Sequence, residues 1–212
     1  MIVLFGTQLD SGCLHREAPL ETGIHRTGPQ GLLQLLESAL GLSGHAPDTE
    51  YLRLEAYRQT LRSYLEEEGE AFFAASFQAD QFATAADLLA RRDELRSAGW
   101  DFLPETSLPG RLDVMARLES RWAQDGRSRL PGFADRLETV LEKLALLPHP
   151  IQEVRHLEPW DLLPRAMQRL LECLRDTAPG PFRLTSSPEP SPNAGTDLGA
   201  FQQAILQRGN GQ

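Results

Sequence analysis

The 212-residue sequence predicts an α/β fold that is predominantly helical. Three observations lead there. Ile2-Val3-Leu4-Phe5 is a short apolar run closed by Gly6, too short for a helix and of the kind that forms a buried strand. Ile151, Val154 and Leu157 occupy a second short window bounded by prolines, an extended element that returns to the same sheet. The chain between them reads as a succession of apolar-faced helices separated by glycine and proline.

Taken in order, Ile2 to Phe5 is the first strand, and the polar, glycine-interrupted stretch from Thr7 to Thr27 is mostly loop, with a second short extended piece around Gly23 to Arg26. Gly28-Pro29-Gln30-Gly31 opens a helix, because proline is tolerated in a first turn. Leu32, Leu33, Leu35, Leu36, Ala39 and Leu40 cover most of its circumference, so it is expected to be buried, with Gly41 at its end. Asp48 or Thr49 caps a second helix to about Glu68. Its inner side is expected to carry Leu52, Ala56, Leu61 and Leu65, and its outer side Arg53, Arg58 and Arg62. Glu66-Glu67-Glu68 sits against the helix dipole, which predicts fraying before Gly69.

A helix from about Glu70 carries Phe72, Phe73 and Phe77, and another, or its continuation, runs from Asp80 to Ala98, ended by Gly99. Leu108 to Trp122 and Phe133 to Leu146 are two further amphipathic helices on either side of a breaker-rich segment, 125–132. After the extended window at Ile151, a last helix spans about Leu162 to Arg175. The domain is expected to occupy 1–183 and a Pro/Ser-rich linker 184–195. The start of a further, truncated segment is expected at 196–212.

Composition excludes several classes. A formal net charge of -9 repels a phosphate backbone, so nucleic-acid contact requires a local arginine patch or a basic partner. Arginine supplies 20 of the 21 basic side chains, which reflects coding bias as readily as chemistry. Cys13 and Cys173 are far apart and lack metal-ligand spacing, which fits a reducing cytoplasm. The opening apolar run has no basic residues before it and is too short to span a bilayer, so no membrane partner is expected.

The only lysine, Lys143, limits the chemistry further. A phosphate-gripping loop needs converging backbone N–H groups, a lysine for the outer phosphates and a Ser or Thr for magnesium. Gly28-Pro29-Gln30-Gly31-Leu32-Leu33 has the glycines and the helix but neither the lysine nor the hydroxyl, and Pro29 removes a donor. A magnesium nuclease of the Asp, Glu-x-Lys kind needs an acid two residues before its lysine, and Leu141 stands there. His15, His25, His45, His149 and His156 show no zinc or nucleophile spacing. Asp80, Asp87, Asp93 and Glu94 read as a solvated face paired with Arg91, Arg92 and Arg96. The best local nucleic-acid patch is Arg58, Arg62, Arg91, Arg92 and Arg96 with Trp100, combining backbone contacts with a stacking ring.

Three segments carry a family resemblance. They are Gly28-Pro29-Gln30-Gly31-Leu32-Leu33 leading to Leu36-Glu37 and Leu40-Gly41-Leu42, then Leu88-Leu89-Ala90-Arg91-Arg92-Asp93-Glu94-Leu95 ending in Ala98-Gly99-Trp100, and finally Ile151 through Leu157-Glu158-Pro159 to Leu174. In these the chain resembles the N-terminal region of bacterial AddB/RecB-like PD-(D/E)XK nuclease family proteins, helicase–nuclease subunits with a degenerate helicase domain. The resemblance implies a degenerate P-loop NTPase-like (helicase-like) small parallel sheet with inserted helices. It also implies a non-catalytic scaffold in DNA repair, with DNA or a helicase–nuclease partner subunit as partners. The expected catalytic, metal and cofactor residues are none, with Gly28, Pro29 and Gly31 marking the degenerate loop. A self-contained helical protein-interaction module is the alternative expectation.

Overall fold

The computed structural model describes residues 1–11, 22–42, 49–103, 108–124 and 130–186. Cys13, His15, His45, the segment 196–212 and most of the expected linker lie outside them. Among the described residues the chain is mostly helical, with a four-stranded, fully parallel sheet: an α/β fold. The strands are β1 (Ile2–Phe5), β2 (Ile24–Thr27), β3 (Glu153–His156) and β4 (Arg183–Ser186), in the spatial order β2-β1-β3-β4.

The register fixes which side chains share a face. Val3 lies opposite Val154 and Phe5 opposite His156, so these four point to one side. That side is buried by α1 (Pro29–Ala39), α6 (Phe133–Leu144) and α7 (Arg165–Asp176), whose Leu32, Leu33, Leu36, Leu137, Val140, Met167, Leu170 and Leu171 form the first core with Val3, Phe5 and Val154. The other face carries Ile2 and Leu4 beside Glu153 and Arg155, all only partly buried.

The second core is helical. It is formed by α2 (Glu50–Glu68), α3 (Ala74–Ala79), α4 (Gln81–Ser97) and α5 (Gly110–Gln124), around Tyr57, Leu61, Tyr64, Phe73, Phe77, Leu88, Leu89, Leu118 and Trp122. Asp80 caps α4 by accepting from the Ala83 N–H at 2.9 Å, and Gly99, at φ 97°, ends it in the left-handed conformation that glycine reaches without strain.

Four expectations are corrected. The buried face of α2 is Arg53, Tyr57, Thr60, Leu61 and Tyr64, not the face of Leu52 and Ala56. Leu52 is 57% exposed, because two tyrosines and an arginine outcompete it for the interior. The acidic end of α2 does not fray: Gly69 donates to the Leu65 carbonyl at 3.0 Å, while Glu67 and Glu68 meet Arg121 and Arg117 of α5. The expected helix at Glu70 gives way to a turn at Phe72 and Phe73, with the short α3 starting only at Ala74. Finally, Leu184 to Ser186 belong to strand β4 rather than to a linker.

Candidate functional site

In an open parallel sheet, ligands bind at the carboxyl ends of the strands where the chain order reverses. Here the reversal lies at β1, which has β2 on one side and β3 on the other. The residues that leave those strand ends are Gly6 and Thr7, Gly28, and Leu157 and Glu158.

Two carboxylates of the chain itself fill this edge. The first is Asp10, which follows β1 in a single 3-10 turn, Leu9–Ser11. Its Oδ1 accepts from the N–H groups of Gly28 at 3.0 Å and Gly31 at 3.2 Å, and its Oδ2 from Gln30 at 2.6 Å. These are the donors that open α1, where unsatisfied N–H groups and the helix dipole favour a negative charge. The glycines permit the approach. A Cβ on Gly28 would lie 2.5 Å from the Asp10 carboxyl carbon, and one on Gly31 would collide with Thr27 Oγ1.

The second is Glu158, just past β3. Its Oε1 accepts from the Thr7 N–H at 2.7 Å and the Thr7 hydroxyl at 2.6 Å, so the turn after β1 is also answered by a carboxylate. Beside it, buried His156 places Nδ1 2.7 Å from the Glu158 carbonyl, with its ring edge-on to Trp160 at 5.8 Å. Nδ1 is therefore the protonated nitrogen in the neutral ring. No cluster of His, Cys, Asp and Glu among the described residues has the arrangement of a metal site.

The arginine patch expected from sequence does not assemble. Arg92 is 1% exposed and points inward, its Nε and Nη2 on Glu119 at 3.0 and 2.7 Å, and its Nη1 and Nη2 on Asp135 at 2.8 and 2.6 Å. Burial opposes its charge, but the bonds to Glu119 and Asp135 outweigh that and raise its pKa further above the usual arginine value. Trp100 lies tilted against Phe102, ring centres 4.2 Å apart, and packs against the helical core, only partly exposed. Arg91 is exposed, held by Glu94 and Asp87, and Arg96 is partly buried with its Nε enclosed.

Arg58 and Arg62 are brought together at Gln81. Both reach Gln81 Oε1, at 2.6 and 3.0 Å, and Arg58 also chelates Glu55. The Arg58 guanidinium lies 5.1 Å from the centre of the Phe82 ring. Phe82 and the nearby Tyr51 are 43% and 65% exposed. Lys143 is exposed in the last turn of α6, on a different element from every group at the sheet edge.

Asp10, Thr7 and Glu158 carry no sequence signal of their own: each is an ordinary polar residue in a loop, and only the parallel pairing of β1 with β2 and β3 brings them to one edge. Searches of protein-family models and of curated proteins find no match to the chain. No helix among the described residues is long and apolar enough to cross a membrane.

Proposed function

We propose that this chain is a non-catalytic, helicase-like scaffold: a degenerate domain of the P-loop NTPase-like type, from the N-terminal part of a bacterial DNA repair helicase–nuclease, that contacts DNA or a partner subunit. The observation that carries the reading is the occupation of the sheet edge by Asp10 and Glu158, which hold the donors of α1 and of the turn after β1. A nucleotide phosphate would need those same N–H groups, and would face two carboxylates in a position that needs positive charge. Neither a lysine nor an arginine is hydrogen-bonded there to offset them in the described residues.

The test is hydrolysis of ATP by the purified protein with magnesium, with and without single-stranded DNA. The reading expects none. Hydrolysis that depends on magnesium and DNA, and that Gly31→Ala abolishes in a folded protein, would overturn it.

A second reading, a protein-interaction module, is favoured by one surface. Tyr51 and Phe82 stand exposed and stacked at the start of α2 and α4, with Arg58 against Phe82, a combination of aromatic and arginine side chains that is common at interface centres. Affinity capture separates the two readings. Recovery of repair-nuclease components or single-stranded DNA supports the scaffold, and unrelated partners without DNA retention support the module.

A further inference from the structure

The two hydrophobic cores share no residue. The sheet core draws on α1, α6 and α7 and the helical core on α2 to α5, and a buried charged cluster sits where α4 meets α6, beside Ala90, Phe133 and Ala134. Arg92 of α4 forks onto Asp135 of α6 while also holding Glu119 of α5. Arg53 of α2 reaches Asp93 at 2.6 Å, and Asp93 in turn accepts from Arg92 at 2.9 Å. Asp135 ties this cluster back to its own helix by accepting from the Gly132 N–H at 3.1 Å. Gly132 has no room for a side chain, since a Cβ there would run into the Arg53 guanidinium.

The packing beside the cluster is open. On one side is a cavity of 570 Å³ between Ala90, Asp93, Phe133, Ala134, Arg165 and Ala166. On the other is one of 640 Å³ between Gln34, Thr49, Arg53, Gly132, Phe133 and Arg136. Close-packed interiors transmit force as one body, whereas two bodies that meet through a polar contact flanked by clefts move relative to each other.

We propose that this junction is a hinge between the helical and sheet lobes, and that the Arg92–Asp135 fork is the latch that holds it closed. The fork is the direct bond of Arg92 across the seam, since its other ties, to Asp93 and Glu119, stay within the helical lobe; Arg53 adds a longer ion pair to Asp135 at 3.7 Å. Asp135→Asn breaks the latch without removing an apolar contact, whereas Arg92 also lies over the Phe102 and Trp122 rings of the helical core, at 5.8 and 5.3 Å. Breaking the latch lets the clefts open. The inference is independent of the reading of the sheet edge.

The test is a distance measurement by electron–electron resonance between spin labels at Ser76→Cys on α3 and Glu172→Cys on α7, both exposed, in a Cys13→Ser, Cys173→Ser background. Wild type is expected to show one narrow distribution. In Arg92→Met and in the milder Asp135→Asn the ratio of open to closed molecules is expected to rise on the order of a hundredfold, as the loss of one buried charge partner implies. The open form then appears as a second, displaced population while helical circular dichroism is retained. Folded variants whose distributions superimpose on wild type overturn the proposal. So does loss of folding in both variants, which would make the cluster part of a single shared core.

Discussion

The guanidinium of Arg92 on α4 and the carboxylate of Asp135 on α6 face each other as two parallel forks, Nη1 to Oδ2 at 2.8 Å and Nη2 to Oδ1 at 2.6 Å. Such a geometry matches the planar donors of arginine to the two oxygens of a carboxylate. Removing one member strands the other charges in the interior. Arg92→Ala is therefore expected to lower the unfolding free energy by about 3–5 kcal/mol in urea denaturation. Replacing Arg92, Glu119 and Asp135 together by Met, Leu and Leu is expected to recover most of that loss, because an apolar trio leaves no unpaired charge behind.

At the sheet edge, Asp10 acts as an N-cap supplied from a distant part of the chain. Asp10→Ala removes the acceptor for three N–H groups and is expected to cost about 0.5–2 kcal/mol, the range for loss of a helix cap. Gly28→Ala is expected to cost more than Asp10→Ala. Its methyl meets not only the Asp10 carboxyl but also the Asp10 backbone nitrogen at 2.7 Å, which cannot swing aside. Thermal unfolding of the two variants side by side checks the order.

Tyr57 makes a contrary case. Its ring is buried edge-on against Trp122 at 4.9 Å, but its hydroxyl is enclosed without a hydrogen-bond partner among the described residues. Burial also pushes its pKa above the usual phenol value. Tyr57→Phe keeps the packing and deletes the unsatisfied group, so its stability is expected to equal or exceed wild type by up to about 1 kcal/mol. A loss beyond about 1 kcal/mol would mean that the hydroxyl is bonded in solution.

The Glu55 carboxyl is lowered from 4.5 to about 2, first by its hydrogen bonds from Arg58 and then by Gln59. A depressed carboxyl favours the folded state above its unfolded value and loses that contribution as pH falls. The stabilisation from this pair is thus complete above about pH 4.5 and disappears as pH falls towards about 2. Carbon-13 NMR of the Glu55 carboxyl should show the low titration, and Arg58→Ala should return it towards 4.5.

Much of this architecture is legible in sequence where burial and pattern agree. Ile2–Phe5 and the helix opened by Gly28-Pro29 are dense in apolar side chains, and both sit at the first core as the pattern requires. The turn of α2 is legible only in length. Leu61 is buried and Leu65 packs against the core as the leucines suggest, but Leu52 is exposed, and the rest of the interior face is Tyr57, Tyr64 and the paired Arg53. Strand β4, at the sheet's edge, offers one apolar residue, the partly buried Leu184, too little for a periodic signal. The arginine patch failed for a similar reason. Arg92 is indistinguishable from Arg91 in sequence, and its inward course depends on Glu119 and Asp135, contributed by two other helices. Asp10 and Glu158 meet their partners only through strand pairing, which no local pattern encodes.

On the proposed reading, Asp10 and Glu158 hold the backbone N–H groups that a nucleotide phosphate would need. Nitrogen-15 NMR of the Gly28, Gln30 and Gly31 amides during titration with magnesium-ATP tests it most directly. These resonances are expected to stay in place in wild type and to move only when Asp10 is replaced, as in Asp10→Asn. Saturable shifts of the three amides in the wild-type protein, with release of the Asp10 carboxylate, would contradict it.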